Sequence, residues 1–159
     1  MLARLVFAFL IFTLPALAKE PPRSVVQTGK ASIYADRFQG QLAANGEPHD
    51  QNDLTAASRL LPLGARATVT NLETGKSVQV EITDRGPYAG GRIIDLSRRA
   101  AREIGLTLKM GVGRVTVEAI PARQPTLALK EEVAQIAAAR AKPARQPLSS
   151  LRRERYGRE

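Results

Sequence analysis

Between Ala67 and Thr83 apolar and polar positions alternate along the chain. Ala67, Val69 and Asn71 fall on one side against Thr68, Thr70 and Leu72. After Glu73-Thr74-Gly75, Val78, Val80 and Ile82 fall against Gln79, Glu81 and Thr83. Side chains of an extended strand point alternately to its two faces, so each run predicts a half-buried strand. The short glycine-containing loop between them predicts a hairpin. Val115, Val117 and Ala119 predict a strand near the end of the patterned region, and Ala31, Ile33 and Ala35 one near its start. The period lengthens after Ser97. There Ala100, Ala101 and Ile104 form a helical stripe, Ser97 is placed to cap it and Gly105 to stop it. Several short strands with one short helix predict a mainly β domain, a small barrel.

Beyond Ile120 the pattern changes again. Residues 121–159 are rich in Ala, Arg and Pro, and their one helical stripe is Leu129, Val133, Ile136 and Ala137 within Leu127–Arg140. Pro143 and Pro147 end that pattern, and no fixed fold is expected after it. At the other end Arg4 precedes an apolar run, Leu5–Leu14, broken only by Thr13, and Ala16-Leu17-Ala18 supplies small residues at signal-peptidase spacing. The run is far shorter than the ~20 residues that span a bilayer. The expected organisation is therefore a signal peptide (1–18), a short lead (19–27), the barrel (28–120) and a basic tail (121–159). Export to the periplasm follows.

Composition then narrows the chemistry. The chain has 159 residues, no cysteine and one histidine, His49. This excludes disulfides, cysteine nucleophiles, multi-histidine metal sites and lipidation on a cysteine, so the exported chain is not expected to be a lipoprotein. Aromatic residues make up 4% of the chain, so the core must be aliphatic. The net charge of +9 is uneven: residues 29–120 carry +2 and residues 121–159 carry +5. A basic tail suits an anionic membrane or wall surface, and export argues against nucleic acid as the partner.

Two segments hold candidate chemistry. Asp84-Arg85-Gly86-Pro87 follows a strand, where Gly86 permits a positive φ and Pro87 stiffens the chain, an arrangement that holds a carboxylate at a barrel rim. Its bland alternative is an Asp bonded to its own turn beside a solvated Arg85. Glu47-Pro48-His49-Asp50 sets two carboxylates three residues apart, which can share a proton. Its bland alternative is a solvated acidic loop.

As an ordered set the motifs are more specific. Gly29-Lys30-Ala31-Ser32-Ile33-Tyr34, Ala44-Asn45-Gly46-Glu47, Leu54-Thr55-Ala56-Ala57, Leu61-Pro62-Leu63-Gly64, Thr83-Asp84-Arg85-Gly86-Pro87-Tyr88 and Arg92-Ile93-Ile94-Asp95-Leu96-Ser97 resemble the rare lipoprotein A family in order and spacing, over residues 29–120. The resemblance implies a six-stranded double-psi β-barrel with one or two short helices. It further implies an endolytic lytic transglycosylase of peptidoglycan glycan strands, acting in cell-wall remodelling with no metal or cofactor. The family's activity-linked groove residues fall here on Glu47, Asp50, Ser58 and Asp84. Of these Glu47 and Asp84 are the catalytic candidates. Ser58 stands where the family usually has a histidine, which weakens the expected activity, and His49 stands where it often has a tyrosine. Tyr34 and Arg85 are expected to support the groove, and Asp95 to pair with Arg92 or cap the helix. A monomer is expected. The alternative function is a glycan-binding or expansin-like wall-loosening barrel with no turnover.

Overall fold

A computed structural model describes residues 24–141. Its strands are β1 (Val25–Ile33), β2 (Thr55–Ser58), β3 (Arg66–Asn71), β4 (Ser77–Asp84), β5 (Arg92–Leu96) and β6 (Val112–Ala119). They close into one barrel in the order β1-β5-β2-β4-β3-β6, with β6 pairing back onto β1. The β1/β5 and β2/β4 pairs are parallel and the other four antiparallel. This is the six-stranded double-psi β-barrel that the resemblance implies. The parallel pairs bring strand ends that are distant in sequence to one rim: Ile33 at the end of β1 lies beside Leu96 at the end of β5, and Ala57 of β2 beside Asp84 of β4.

The alternating runs form the expected hairpin, with Ala67 opposite Val80 and Val69 opposite Val78. Their inward residues, with Ala31, Ala56, Ile82, Ile94, Leu96 and Val115, fill an aliphatic core. Asn71 is a buried polar residue on that inward face. It is compensated: its Nδ2 donates to the Ile104 carbonyl at 2.9 Å, and its Oδ1 accepts from the Glu73 amide at 2.9 Å. The hairpin turn is thereby tied to helix α1 (Arg98–Glu103). Ser97 caps α1 by accepting from the Ala100 amide, and Gly105 follows the helix with φ +75°.

Three boundaries differ from the sequence reading. β1 begins at Val25, inside the stretch read as a lead, because Val25 is buried and pairs with Ala119. β1 ends at Ile33, so Ala35 is not in the strand but exposed at the start of a 3-10 turn, Asp36–Phe38. The start of the tail belongs to the fold. Gln124 is buried and clamps β3, donating to the Arg66 carbonyl at 2.9 Å and accepting from the Arg66 amide at 2.7 Å. Helix α2 (Leu127–Ala141) then lays its predicted stripe on the barrel, with Val133 and Ala137 in the core and Leu129 and Ile136 packed at its edge. No helix among the described residues is long and apolar enough to cross a membrane. The signal-peptide reading (1–18) and the tail beyond Ala141 lie outside the described residues.

Candidate active site

A cleft of about 400 Å³ opens at the rim where β1 and β4 end. Tyr34 and Phe38 stand on one side, Asp84 at its wall, and Tyr88 on the loop after Gly86. Gly86 has φ +131°, a conformation open to glycine, which lets the loop turn directly after the carboxylate. The Tyr and Phe residues among the described residues are Tyr34, Phe38 and Tyr88, and all line this cleft. The aliphatic core contains none of the three, so the scarce rings are concentrated where a ligand would meet them.

Asp84 is held by three donors. Its Oδ1 accepts from the amides of Ala44 at 3.0 Å and Arg85 at 2.8 Å, and its Oδ2 from the Tyr34 hydroxyl at 2.9 Å. Burial, the hydrogen bond to Asp84 and the negative charges of Asp84 and Asp95 push the Tyr34 hydroxyl above the ordinary tyrosine range. It therefore remains a donor. The ring of Tyr34 is packed edge-on to Phe38 at 5.8 Å and tilted against His49 at 4.3 Å. Arg85 is no solvated charge: its guanidinium donates to the carbonyls of Ser58 at 3.1 Å and Leu61 at 2.5 Å, fastening the end of β2. Asp95 accepts from Ser32 at 2.6 Å and pairs with Arg92 at 3.5 Å, while the helix cap is Ser97.

Glu47 occupies a different depression. It lines a recess of about 40 Å³ with His49, Asp50 and Asp53, too small for a sugar ring. The carboxylate is exposed and one oxygen accepts from Asn45 Nδ2 at 3.0 Å. The loop that carries it is pinned beside Asp84 through the Ala44 amide and through the Asn45 amide, which donates to the Thr83 carbonyl at 3.0 Å. So the two catalytic candidates sit on neighbouring, linked surfaces, and only Asp84 faces the cleft.

The remaining sequence candidates have structural partners. Asp50 accepts from the Asn52 amide at 2.9 Å, the Gln39 side chain at 3.3 Å and the Asn52 side chain at 3.1 Å. These bonds, the Asn52 amide foremost, hold its carboxyl below the usual range and tie it to its own loop. Ser58 is buried and its Oγ accepts from the amides of Leu60 at 3.1 Å and Leu61 at 3.2 Å, turning the chain after β2. It does not line the cleft. His49 is 6% exposed, and its Nε2 has no partner among the described residues. Among the described residues no group of three or more His, Asp or Glu side chains is placed to hold a metal ion. Sequence reasoning missed Phe38, Arg37 and Arg92 as cleft residues. The signal that could have found Phe38 is the rarity of aromatic residues.

The lytic transglycolase family profile matches residues 26–118. The endolytic peptidoglycan transglycosylase RlpA of Vibrio cholerae is 44% identical over 105 residues, which cover 66% of this chain and 40% of that protein. The protein of the same name from Pasteurella multocida is 52% identical over 92 residues, covering 58% of this chain and 31% of that protein. The chain thus spans about a third of the length of the curated relatives it matches. Among solved structures, a Streptomyces papain inhibitor aligns with TM-score 0.46 and 25% identity over 60% of this chain and 94% of that one. An expansin from Clavibacter michiganensis aligns with TM-score 0.49 and 22% identity over 64% of this chain and 52% of that one.

Proposed function

The chain belongs to the lytic transglycolase family, and from that membership we infer that it is an exported endolytic transglycosylase of peptidoglycan glycan strands, with Asp84 as its acid/base. The observation that carries this reading is the Tyr34–Asp84 pair on the wall of a ring-lined cleft of about 400 Å³. Aromatic faces suit the apolar faces of sugar rings, and the cleft is wide enough for a saccharide.

The reaction needs one proton carrier. Asp84 in its acid form gives a proton to the oxygen between N-acetylmuramic acid and N-acetylglucosamine, and the C1–O bond breaks. The carboxylate left behind takes the proton of the muramoyl C6 hydroxyl as that oxygen bonds to C1. The product carries a 1,6-anhydro end, no water is consumed, and Asp84 is again protonated. The held hydroxyl of Tyr34 keeps Oδ2 in place, and the Ala44 and Arg85 amides keep Oδ1 in place. Glu47 lies in the neighbouring recess and bears on the reaction only through the loop fastened to Asp84. Mature protein beginning near Lys19 would meet this substrate in the periplasm.

Digestion of purified sacculi with mass detection of products tests the reading. Anhydro-muramoyl ends are expected, and their absence together with retained binding would overturn it. One observation favours that alternative, a glycan-binding barrel with no turnover: Ser58, at the family's histidine position, is buried outside the cleft, where its Oγ accepts from two backbone amides and no bond to a carboxylate is made.

A further inference from the structure

Tyr34 lies one residue past β1 and meets Asp84 through its hydroxyl, so the placement of that hydroxyl depends on what grips the ring. The chain that follows, from Phe38 to His49, folds back on itself. The Gly40 amide donates to the His49 carbonyl at 2.8 Å, and the His49 amide to the Gln41 carbonyl at 2.8 Å. Further out, Leu42 bridges Pro48 and the Ala43 amide donates to the Glu47 carbonyl at 2.8 Å. These bonds lock the two arms side by side. Phe38 and His49 flank the base, one on each arm, and both pack on the Tyr34 ring: Phe38 edge-on at 5.8 Å and 77°, His49 tilted at 4.3 Å and 39°. Towards the tip, the Ala44 amide donates to Asp84 Oδ1 at 3.0 Å. One loop therefore grips both members of the Tyr34–Asp84 pair, the tyrosine through two rings and the carboxylate through an amide.

His49 is the nearer of the two rings, and it is buried. Its Nε2 has no partner among the described residues. Burying a polar atom unpaired costs free energy, so an apolar side chain of similar size at this position is expected to leave the fold at least as stable. What the imidazole contributes is its face, since aromatic pairs hold one another in tilted and edge-on contacts. We propose that His49 is a positioning residue: with Phe38 it clamps the Tyr34 ring so that the hydroxyl stays on Asp84 Oδ2. His49 is not among the residues lining the cleft, so it acts through Tyr34 and not on the substrate. The kinetic consequence rests on the reading of Asp84 as the acid/base; the clamp itself does not.

The test compares His49→Leu, which removes the ring, with His49→Phe, which keeps one, in the whole mature chain; His49→Gln, also ringless, replaces the leucine variant should that not fold. The first readout needs no turnover. The chain has three tyrosines, Tyr34, Tyr88 and Tyr156, and the Tyr34 hydroxyl is held above the ordinary range by burial and by its bond to Asp84. Tyrosinate absorbance followed against pH, with circular dichroism reporting the fold, is expected to show a late step that Tyr34→Phe lacks. The ringless variant should move that step down towards the ordinary range, and His49→Phe should leave it late. The second readout is kinetic, on soluble glycan strands. The ringless variant should lose about fivefold or more in kcat with KM unchanged, His49→Phe should restore the rate, and the loss should vanish in a Tyr34→Phe background. A late step unmoved by the ringless variant, a kcat within about twofold of wild type, or a loss that adds to that of Tyr34→Phe would overturn the proposal. If no form of the protein cleaves glycan, the glycan reading falls and the titration alone decides the clamp: it stands if the late step moves with loss of the ring and falls if it does not.

Discussion

Tyr34→Phe removes one oxygen and leaves the ring. The contacts with His49 at 4.3 Å and Phe38 at 5.8 Å persist, and Asp84 keeps its bonds from the Ala44 and Arg85 amides. What is lost is the 2.9 Å hydrogen bond to Oδ2. A hydrogen bond to a charged group contributes about 1.5–3 kcal/mol. If that bond places the carboxylate for proton transfer, the same energy leaves the transition state, and at ~1.4 kcal/mol per decade the rate falls about 10- to 100-fold. The assay is the initial rate of anhydro-muropeptide release from sacculi, with thermal melting alongside to report the fold. A pH series adds a second readout. Folding raises the Tyr34 pKa above its ordinary value of 10.0, so the native state keeps a proton that the unfolded chain releases near that pH. The stabilisation is complete below about pH 10 and is lost as pH rises further. The stability gap between wild type and Tyr34→Phe should therefore narrow above about pH 10. A rate within twofold of wild type would refute the claim that the Tyr34–Asp84 bond serves the reaction.

Asp84→Asn should lower anhydro-product release by at least about a hundredfold, the scale of a lost general acid, with melting little changed, whereas Glu47→Gln should cost less because Glu47 lies outside the cleft; a larger loss for Glu47→Gln would reverse the assignment. Val133→Ala empties part of a fully buried site on α2 and should cost about 1.5–3 kcal/mol, a fall of some ~5–10 °C in Tm; an unchanged Tm would show that α2 is not part of the folded core. Ending the chain at Ala141 removes a net +4 and should weaken retention on sacculi or anionic vesicles at low salt, with the difference vanishing at high salt through screening; equal retention at low salt would argue against an anionic-surface role for the tail.

The parts of this protein legible in its sequence are those whose signal is local. The alternation from Ala67 to Ile82 assigned the inward face of the hairpin, because strand side chains repeat every second residue whatever the partner strand is. Ser97 and Gly105 bounded α1 and the stripe Leu129, Val133, Ile136 and Ala137 marked α2 for the same reason. The family motifs located Asp84 and Glu47. None of these patterns says which strands are neighbours. The parallel β1/β5 and β2/β4 pairs join segments dozens of residues apart, and barrel closure decided that Tyr34 would reach Asp84 across 50 residues of chain. Closure likewise gathered Phe38 and Tyr88 into one cleft and set Glu47 in a separate recess. The docking of α2 and the Gln124 clamp on β3 were also decided in three dimensions, since an amphipathic stripe announces that a face will be buried but not against what. Ser58 shows the limit most plainly. At its motif position it reads as an altered groove residue, yet the amides of Leu60 and Leu61 claim its hydroxyl, because a buried turn must satisfy its own backbone donors before it can serve a site.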